Sequence, residues 1–413
     1  MLHWKRMIFP VKFKKITYVF FISISIIVIY FRLHFKNVVD NVITDIEVNK
    51  NKSNEVKSQK CLRDVIKYIL LWINPKNRQE ENVDRSLYSF SRRNCAWNNC
   101  YLTVERQLIS DFSQYSVILF KGADIEYIQN SLDLPKNRYP NQKYVFVSED
   151  LAAPYTTCGR QWDGFFNWTW TYKLDSDLIW NSFVIRDVNG TIIGPKQNMN
   201  WIKLRDMKPI DSKFIMNLRS KTKIAAWFTS NCRTQSLREM FVNELQKYLD
   251  EYNLQIDIYG KCGNHRCPKV LMKRCLKMVE REYYFYLAFE NTLSEDYVTN
   301  IILHALNHNA VPVVLGGANY TRFMPDGAYL NALEYGPEKL ARRMFEIMQN
   351  LSLYQKFFRW KQHYSYHAHD EAPETDNYCR LCALVNNRKE FNTFSLKKNF
   401  TNWWTPKGKC LKD

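Results

Sequence analysis

The chain has 413 residues and a formal net charge of +18, from 59 Lys and Arg against 41 Asp and Glu. At roughly 100–200 residues per domain, that length implies more than one domain. A surplus of this size suits nucleic acid, a membrane surface or an anionic small substrate. The basic residues are spread along the chain and no zinc-finger or RNP-like pattern occurs, which argues against nucleic acid. In chain order, residues 1–15 read as a cytosolic tail, because Lys5, Arg6, Lys12, Lys14 and Lys15 precede an uncharged run at 16–31 (ITYVFFISISIIVIYF). The run predicts a transmembrane signal-anchor at 16–33, short enough for a thin early secretory membrane. Phe31-Arg32-Leu33-His34 lacks a small-residue cleavage site, which disfavours a cleaved signal peptide. Residues 34–60 are polar and aperiodic, as a stem would be.

A first α/β domain is expected over 61–220, with strands at 115–120 (YSVILF) and 143–147 (KYVFV), an aromatic stretch at 165–177 and a turn at Asn189-Gly190. A basic connector at 219–223 leads to a second domain over 221–375. It opens with a strand at 224–228 (IAAWF) and a helix placing Leu237, Met240, Phe241, Leu245 and Leu249 on one face. A strand at 256–260 and a short helix after Cys262–Cys275 follow. Residues 283–289 (YYFYLAF) and 311–315 (VPVVL) read as buried strands. Between them Ser294 is expected to cap a helix, with Glu295 and Asp296 in its first turn and Val298, Ile301, Ile302, Ala305 and Leu306 on its apolar face. Residues 340–361 read as a helix and 376–413 as a tail carrying Cys379-Arg-Leu-Cys382. Alternating strands and helices in both halves predict two doubly wound α/β domains.

Eleven cysteines suit a lumen that permits disulfides, and the odd number leaves one thiol over or bonded between chains. Cys379-Arg-Leu-Cys382 has no second such pair, so disulfides are favoured over zinc. Asn51, Asn167, Asn189, Asn319, Asn350 and Asn399 open N-glycosylation sequons.

Ser230-Asn231 follows one predicted strand, Tyr259 ends another and Glu290-Asn291 follows a third, so all would open on one edge of a parallel sheet. Arg238, seven residues after Asn231, is placed about two turns along the following helix, within reach of an anion. An edge of helix starts with an Arg suits phosphate. No G-x-G-x-x-G and no P-loop pattern occurs, which argues against an ordinary NAD or ATP site.

FYLAFEN, DYVT and AVPVVLG resemble the donor signature of the Golgi α1,3-fucosyltransferases, glycosyltransferase family 10. WFTSNC with Arg238, DIYGKCG, QKYVFVSE, FNWTWTYKLDSD and CRLC follow in that family's order, over about residues 110–385. The resemblance implies a GT-B fold, two Rossmann-like domains facing a cleft. It also implies inverting transfer of L-fucose from GDP-fucose to the 3-hydroxyl of a GlcNAc in a glycan, in the Golgi lumen. Carried over residue by residue, the donor contacts fall on Ser230, Asn231, Arg238, Tyr259, Glu290, Asn291 and Tyr297, with Asn300 standing where the family has a donor-region Glu. The general base falls on Glu149 by residue identity or on Asp150 by ungapped count, and Arg238 pairs with the diphosphate. A divalent cation (Mg or Mn) could accompany the diphosphate, but no dedicated metal site is identified.

The family's DYVTEK departs here to Asn300-Ile301, removing the Lys that reaches the diphosphate together with its neighbouring Glu. Loss of the Lys forgoes a charge-assisted hydrogen bond of about 1.5–3 kcal/mol. A rival expectation is therefore a fucosyltransferase-fold protein that no longer catalyses and serves as a glycan-binding or partner module. A third, a metal protein using His363, His367, His369 and Asp370, has little to support it beyond spacing. Asp175-Ser176-Asp177 spells a D-x-D, but its position favours a structural or acceptor-side role.

Overall fold

The computed structural model describes residues 66–72, 87–125, 128, 134–149 and 159–405. The expected tail, anchor and stem at 1–60 lie outside the described residues, as does Asp150. Among the described residues no helix is long and apolar enough to cross a membrane.

Six strands form the first sheet: β1 (Lys67–Trp72), β2 (Cys100–Thr103), β3 (Tyr115–Lys121), β4 (Lys143–Ser148), β5 (Trp168–Thr171) and β6 (Leu178–Ile179). Its order is β2-β1-β3-β4-β5-β6 and every pairing is parallel. A hairpin of β7 (Phe183–Asp187) and β8 (Ile192–Gly194) follows, turning at Asn189-Gly190 as expected. The second sheet holds β9 (Lys223–Phe228), β10 (Ile256–Tyr259), β11 (Tyr283–Phe289), β12 (Val311–Leu315) and β13 (Leu330–Asn331), in the order β10-β9-β11-β12-β13, again all parallel. Strand β14 (Tyr364–Ala368) returns to pair with β7. Counted from its own first strand, the first sheet runs 2-1-3-4-5-6 and the second 2-1-3-4-5, the doubly wound order whose direction of winding reverses between strands 1 and 3. In the second sheet that reversal falls between β9 and β11.

Parallel strands covered on both faces become continuous apolar runs, which is why β3, β4, β9, β11 and β12 were readable. On one face of the second sheet lie Val242, Leu245 and Leu249 of α1 (Arg238–Asp250); on the other lies Val279 of α2 (Met272–Glu282). Two exposed residues, Leu237 and Met240, correct the expected apolar stripe of α1. The helix expected at 340–361 is instead α4 (Ala332–Gln349), broken at Gly336 (φ 69), then Leu351–Tyr354 and a 3₁₀ run at Gln355–Gln362. Asn350 restarts the second piece by accepting the Leu353 amide at 3.0 Å.

The described part of the expected tail, 376–405, carries helices at Asn377–Asn386, Arg388–Asn392 and Phe400–Trp404 and packs on the first sheet. Cys379 and Cys382 of α5 (Asn377–Asn386) are bonded to Cys95 and Cys100, while Phe400 and Trp404 cover Phe146. Cys232–Cys262 and Cys267–Cys275 are also bonded. Of the sequons, Asn167 is closed off: its side chain accepts from Tyr144 N and Arg138 and donates to the Ser395 carbonyl. Asn189, Asn319, Asn350 and Asn399 are exposed.

Candidate active site

The winding reversal of the second sheet opens between the ends of β9 and β11, where Thr229–Asn231 and Glu290-Asn291 emerge. The loop after β9 leans across this gap. Ser236 donates its amide to the Asn291 carbonyl at 3.0 Å and its hydroxyl to the Glu290 carbonyl at 2.7 Å. Cys232–Cys262 ties the same loop to the one after β10. Gly260 (φ 111) lies under it, and a Cβ there would fall 2.2 Å from the Thr229 carbonyl oxygen, so only glycine fits.

Arg238 is the first residue of α1, not two turns along it, because the stapled loop 232–237 delays the helix. Its side chain is buried and reaches back into the gap. Nη1 donates to the Phe289 carbonyl, and Nη2 to Thr229 Oγ1 at 3.0 Å and the Asn231 carbonyl at 3.4 Å. Nε lies 3.7 Å from Glu239 Oε1; both atoms are buried without a hydrogen-bond partner, as is Asn291 Oδ1. Arg238 thus sets a buried positive charge at the ends of β9 and β11, with its Nε turned to Glu239, while Asn291 Oδ1 is left able to accept a hydroxyl. Ser230 and Asn231 are exposed at the rim of the gap.

Glu290 is 3% exposed and turns to its own loop, accepting the Thr299 amide at 2.8 Å and the Thr299 hydroxyl at 3.1 Å. Burial pushes its carboxyl up to about 7, against the pull of Thr299 and Arg238. The helix expected from Ser294 is absent. Ser294 is buried, its hydroxyl is hydrogen-bonded to Thr292, Asp296 is left-handed (φ 59), and α3 spans only Ile302–Leu306. Side-chain anchors at Thr299 and Asp296 override the helical spacing. Asn300 is exposed, whereas Ile301 is half-buried against the apolar cluster beneath the sheet.

Tyr259 spends its hydroxyl on Tyr283 at 2.7 Å, which in turn donates to Asp257 at 2.5 Å; the Tyr259 ring lies tilted against that of Phe228, 4.6 Å between centroids. Tyr297 is buried with its ring 5.1 Å from that of Tyr172. Glu149 follows β4 of the first sheet, with Lys121 Nζ 3.6 Å from its carboxylate. So Ser230, Asn231, Arg238, Glu290 and Asn291 meet at one edge, Tyr297 and Asn300 sit on the loop that Glu290 holds, and Glu149 belongs to the other sheet. Sequence reasoning missed Ser236, Thr299 and the Cys232–Cys262 bond; a Cys soon after each of two adjacent strands was the available signal.

Asp177 accepts the amide and hydroxyl of Thr169, each at 2.8 Å, and Asp175 accepts Trp403 Nε1 at 2.7 Å, so the D-x-D braces loops. Two of the histidines are likewise engaged: His363 Nε2 accepts the Lys208 amide at 3.0 Å, and His367 bonds Glu371 and Ser365, whereas His369 Nδ1 is buried without a hydrogen-bond partner. Among the described residues no group of three His, Cys, Asp or Glu is placed to hold a metal ion.

The raised Glu290 has a counterweight. His304 shares a hydrogen bond with the Tyr286 hydroxyl at 2.9 Å, and burial lowers it to about 4. Glu290 holds its proton more tightly folded than unfolded, so its contribution is complete below about 4.5 and lost as pH rises through about 7. His304 contributes above about 6.5 and loses that contribution as pH falls through about 4. The expected result for Glu290→Gln, measured by urea unfolding, is stability that climbs more steeply than wild type between pH 4 and 6.5. An unchanged slope would mean that Glu290 titrates as an exposed carboxylate does.

Residues 65–182 match the family model "Fucosyltransferase, N-terminal", and residues 218–403 match "Glycosyltransferase family 10 (fucosyltransferase) C-term". The chain is 32% identical to alpha-(1,3)-fucosyltransferase C of Drosophila melanogaster, over 75% of this chain and 70% of that one. It is 29% identical to glycoprotein 3-alpha-L-fucosyltransferase A of the same organism, over 90% of this chain and 66% of that one. A solved alpha1,3-fucosyltransferase with GDP-fucose superposes at a TM-score of 0.45 and 12% identity, covering 78% of this chain and 90% of that one. The two family models, which together match most of the described residues, and the Drosophila relative at 32% identity show the family: the chain is a glycosyltransferase of family 10, the fucosyltransferases.

Proposed function

We propose that this protein transfers L-fucose from GDP-fucose, in α1,3 linkage and with inversion, to a GlcNAc of an N-glycan or related glycoconjugate. The observation that carries the reading is Arg238, a buried cation held between the ends of β9 and β11 at the reversal of winding. In this reading the second sheet holds the donor and the first faces the acceptor, as in a GT-B enzyme with domains near 61–220 and 221–375. Arg238 compensates the departing diphosphate, with Ser230, Asn231, Asn291 and Tyr297 fixing nucleotide and sugar. A carboxylate after β4, Glu149 or Asp150, takes the proton from the acceptor hydroxyl, and direct displacement at the anomeric carbon inverts it. The uncharged run at 16–31 supports a type II Golgi membrane protein with its catalytic part in the lumen.

The test is an acceptor screen of the full-length protein in detergent, with GDP-fucose and GlcNAc-bearing N-glycans, read by mass spectrometry. Addition of one deoxyhexose is expected. None at high enzyme concentration would favour the non-catalytic glycan-binding module that Asn300-Ile301 suggests. In the same assay, the base variant among Glu149→Gln and Asp150→Asn should lose about 10²–10⁴-fold in rate, the other staying close to wild type. Equal rates in both would remove the base from this segment.

A further inference from the structure

The segment between Thr292 and Thr299 touches both sheets. Asp296 is 3% exposed and left-handed (φ 59), a backbone state that Asp and Asn tolerate better than most residues. Its Oδ2 accepts the Leu174 amide at 3.1 Å, from the loop that follows β5 of the first sheet. Its Oδ1 accepts Arg322 Nη1 at 2.6 Å, from the turn that follows β12 of the second. On either side the contact is reinforced: Glu295 lies 4.0 Å from Lys173 Nζ, and the Tyr297 ring meets that of Tyr172 edge-on at 5.1 Å. The insertion is reciprocal. Tyr297 is buried in the apolar cluster of the first sheet with Tyr172 and Trp404, while Leu174 is buried in the cluster of the second with Val298 and Ile302. Thr299, three residues on from Asp296, is the residue that Glu290 grips.

We propose that Asp296 is a positioning residue for the nucleotide-sugar, fixing loop 294–301 against loop 172–174 so that the first sheet sets the shape of the donor site on the second. The inference rests on the donor reading given above. The two halves of the clasp do different work: Glu290 pins the loop at Thr299, while Asp296 supplies its buried hydrogen bond to the first sheet, with Glu295 and Tyr297 supporting it from either side. A carboxylate suits the position because one oxygen meets a backbone N–H and the other a guanidinium, so both lone-pair sets are used. An error of about 1 Å in such a support costs on the order of 10²-fold in rate or binding.

Asp296→Asn retains the left-handed backbone and one acceptor oxygen, but turns an amide N–H₂ toward either Arg322 or the Leu174 amide. Arg322→Lys keeps the charge without the fork. The experiment measures fucose transfer by the full-length protein at varied GDP-fucose, GDP binding by calorimetry, and hydrogen exchange at the Leu174 amide. In Asp296→Asn, KM for the donor and the GDP dissociation constant should rise about tenfold or more, kcat should stay within about threefold, and Leu174 should exchange faster. Arg322→Lys should show the same split at smaller amplitude, which keeps the test open if Asp296→Asn folds poorly. Faster exchange at Leu174 with unchanged GDP affinity would overturn the inference and leave a plain structural weld. A wild-type protein that fails to bind GDP would overturn the donor reading itself, an outcome distinguishable because the exchange effect would persist.

Discussion

Arg238→Ala should bring fucose transfer down by about 10²–10³-fold and also weaken the fold. The two losses have separate origins. The guanidinium bridges the Phe289 carbonyl at the end of β11 to Thr229 Oγ1 at the end of β9, so its removal orphans buried acceptors at about 1–3 kcal/mol each. It also leaves Glu239 without its neighbouring cation. The catalytic loss comes from the buried positive charge that the departing diphosphate would meet in a site of low dielectric. Arg238→Lys separates them. An ammonium keeps the charge but cannot span both strand ends, so it should recover part of the rate and little of the stability. Transfer rates and urea midpoints for the two variants decide the matter. If Arg238→Ala transfers fucose at the wild-type rate while unfolding earlier, the residue is a strut and the donor diphosphate sits elsewhere.

Asn300→Glu with Ile301→Lys should move activity the other way. The relevant stretch is not the first turn of a long helix but an irregular loop that ends where α3 begins at Ile302. Asn300 is exposed and can take Glu without burying charge. Ile301 is half-buried against apolar neighbours, so a Lys there gives up burial worth about 1–2 kcal/mol unless its stem covers the same surface. A new cation near the diphosphate is worth about 1.5–3 kcal/mol in a charge-assisted bond, so the gain exceeds the loss when donor is bound. The expected outcome is a rise in kcat of about tenfold or more with a modest fall in melting temperature. A double variant that folds but transfers no faster would mean that these two positions do not face the donor.

Legibility tracked burial. Strands β9, β11 and β12 were read nearly to the residue because both faces of a parallel sheet are covered and the run is apolar throughout. Strands β1 and β2 escaped. KYILLW sits inside an apolar run, 65–73, whose periodicity does not tell strand from helix, and CYLT is too short to show a period, so only the tertiary pairing defines them. The site residues that leave strand ends, Ser230, Asn231, Glu290 and Asn291, were legible because topology puts them there. What failed was local geometry under side-chain control. The helix at Ser294 was read from Val298, Ile301 and Ile302, yet Asp296 and Thr299 are held by Arg322, Leu174 and Glu290, partners from 9 to 122 residues away. Arg238 was placed two turns too deep because the disulfide that holds the loop open shows only when Cys232 is read together with Cys262, thirty residues on.

The two bonds between Cys95 and Cys379 and between Cys100 and Cys382 set the order in which this protein can be completed during synthesis. Their partners stand 284 and 282 residues apart. The first sheet leaves the ribosome first but is covered by residues made almost last, so it has to wait, with its thiols open, while the entire second sheet is translated. Between those moments Cys95 and Cys100 have each other, Cys61 and the cysteines from Cys158 to Cys275 as competing partners, and the chain depends on its compartment to keep the wrong pairs from lasting. A stop codon before residue 379 would therefore spoil the beginning of the molecule rather than its end.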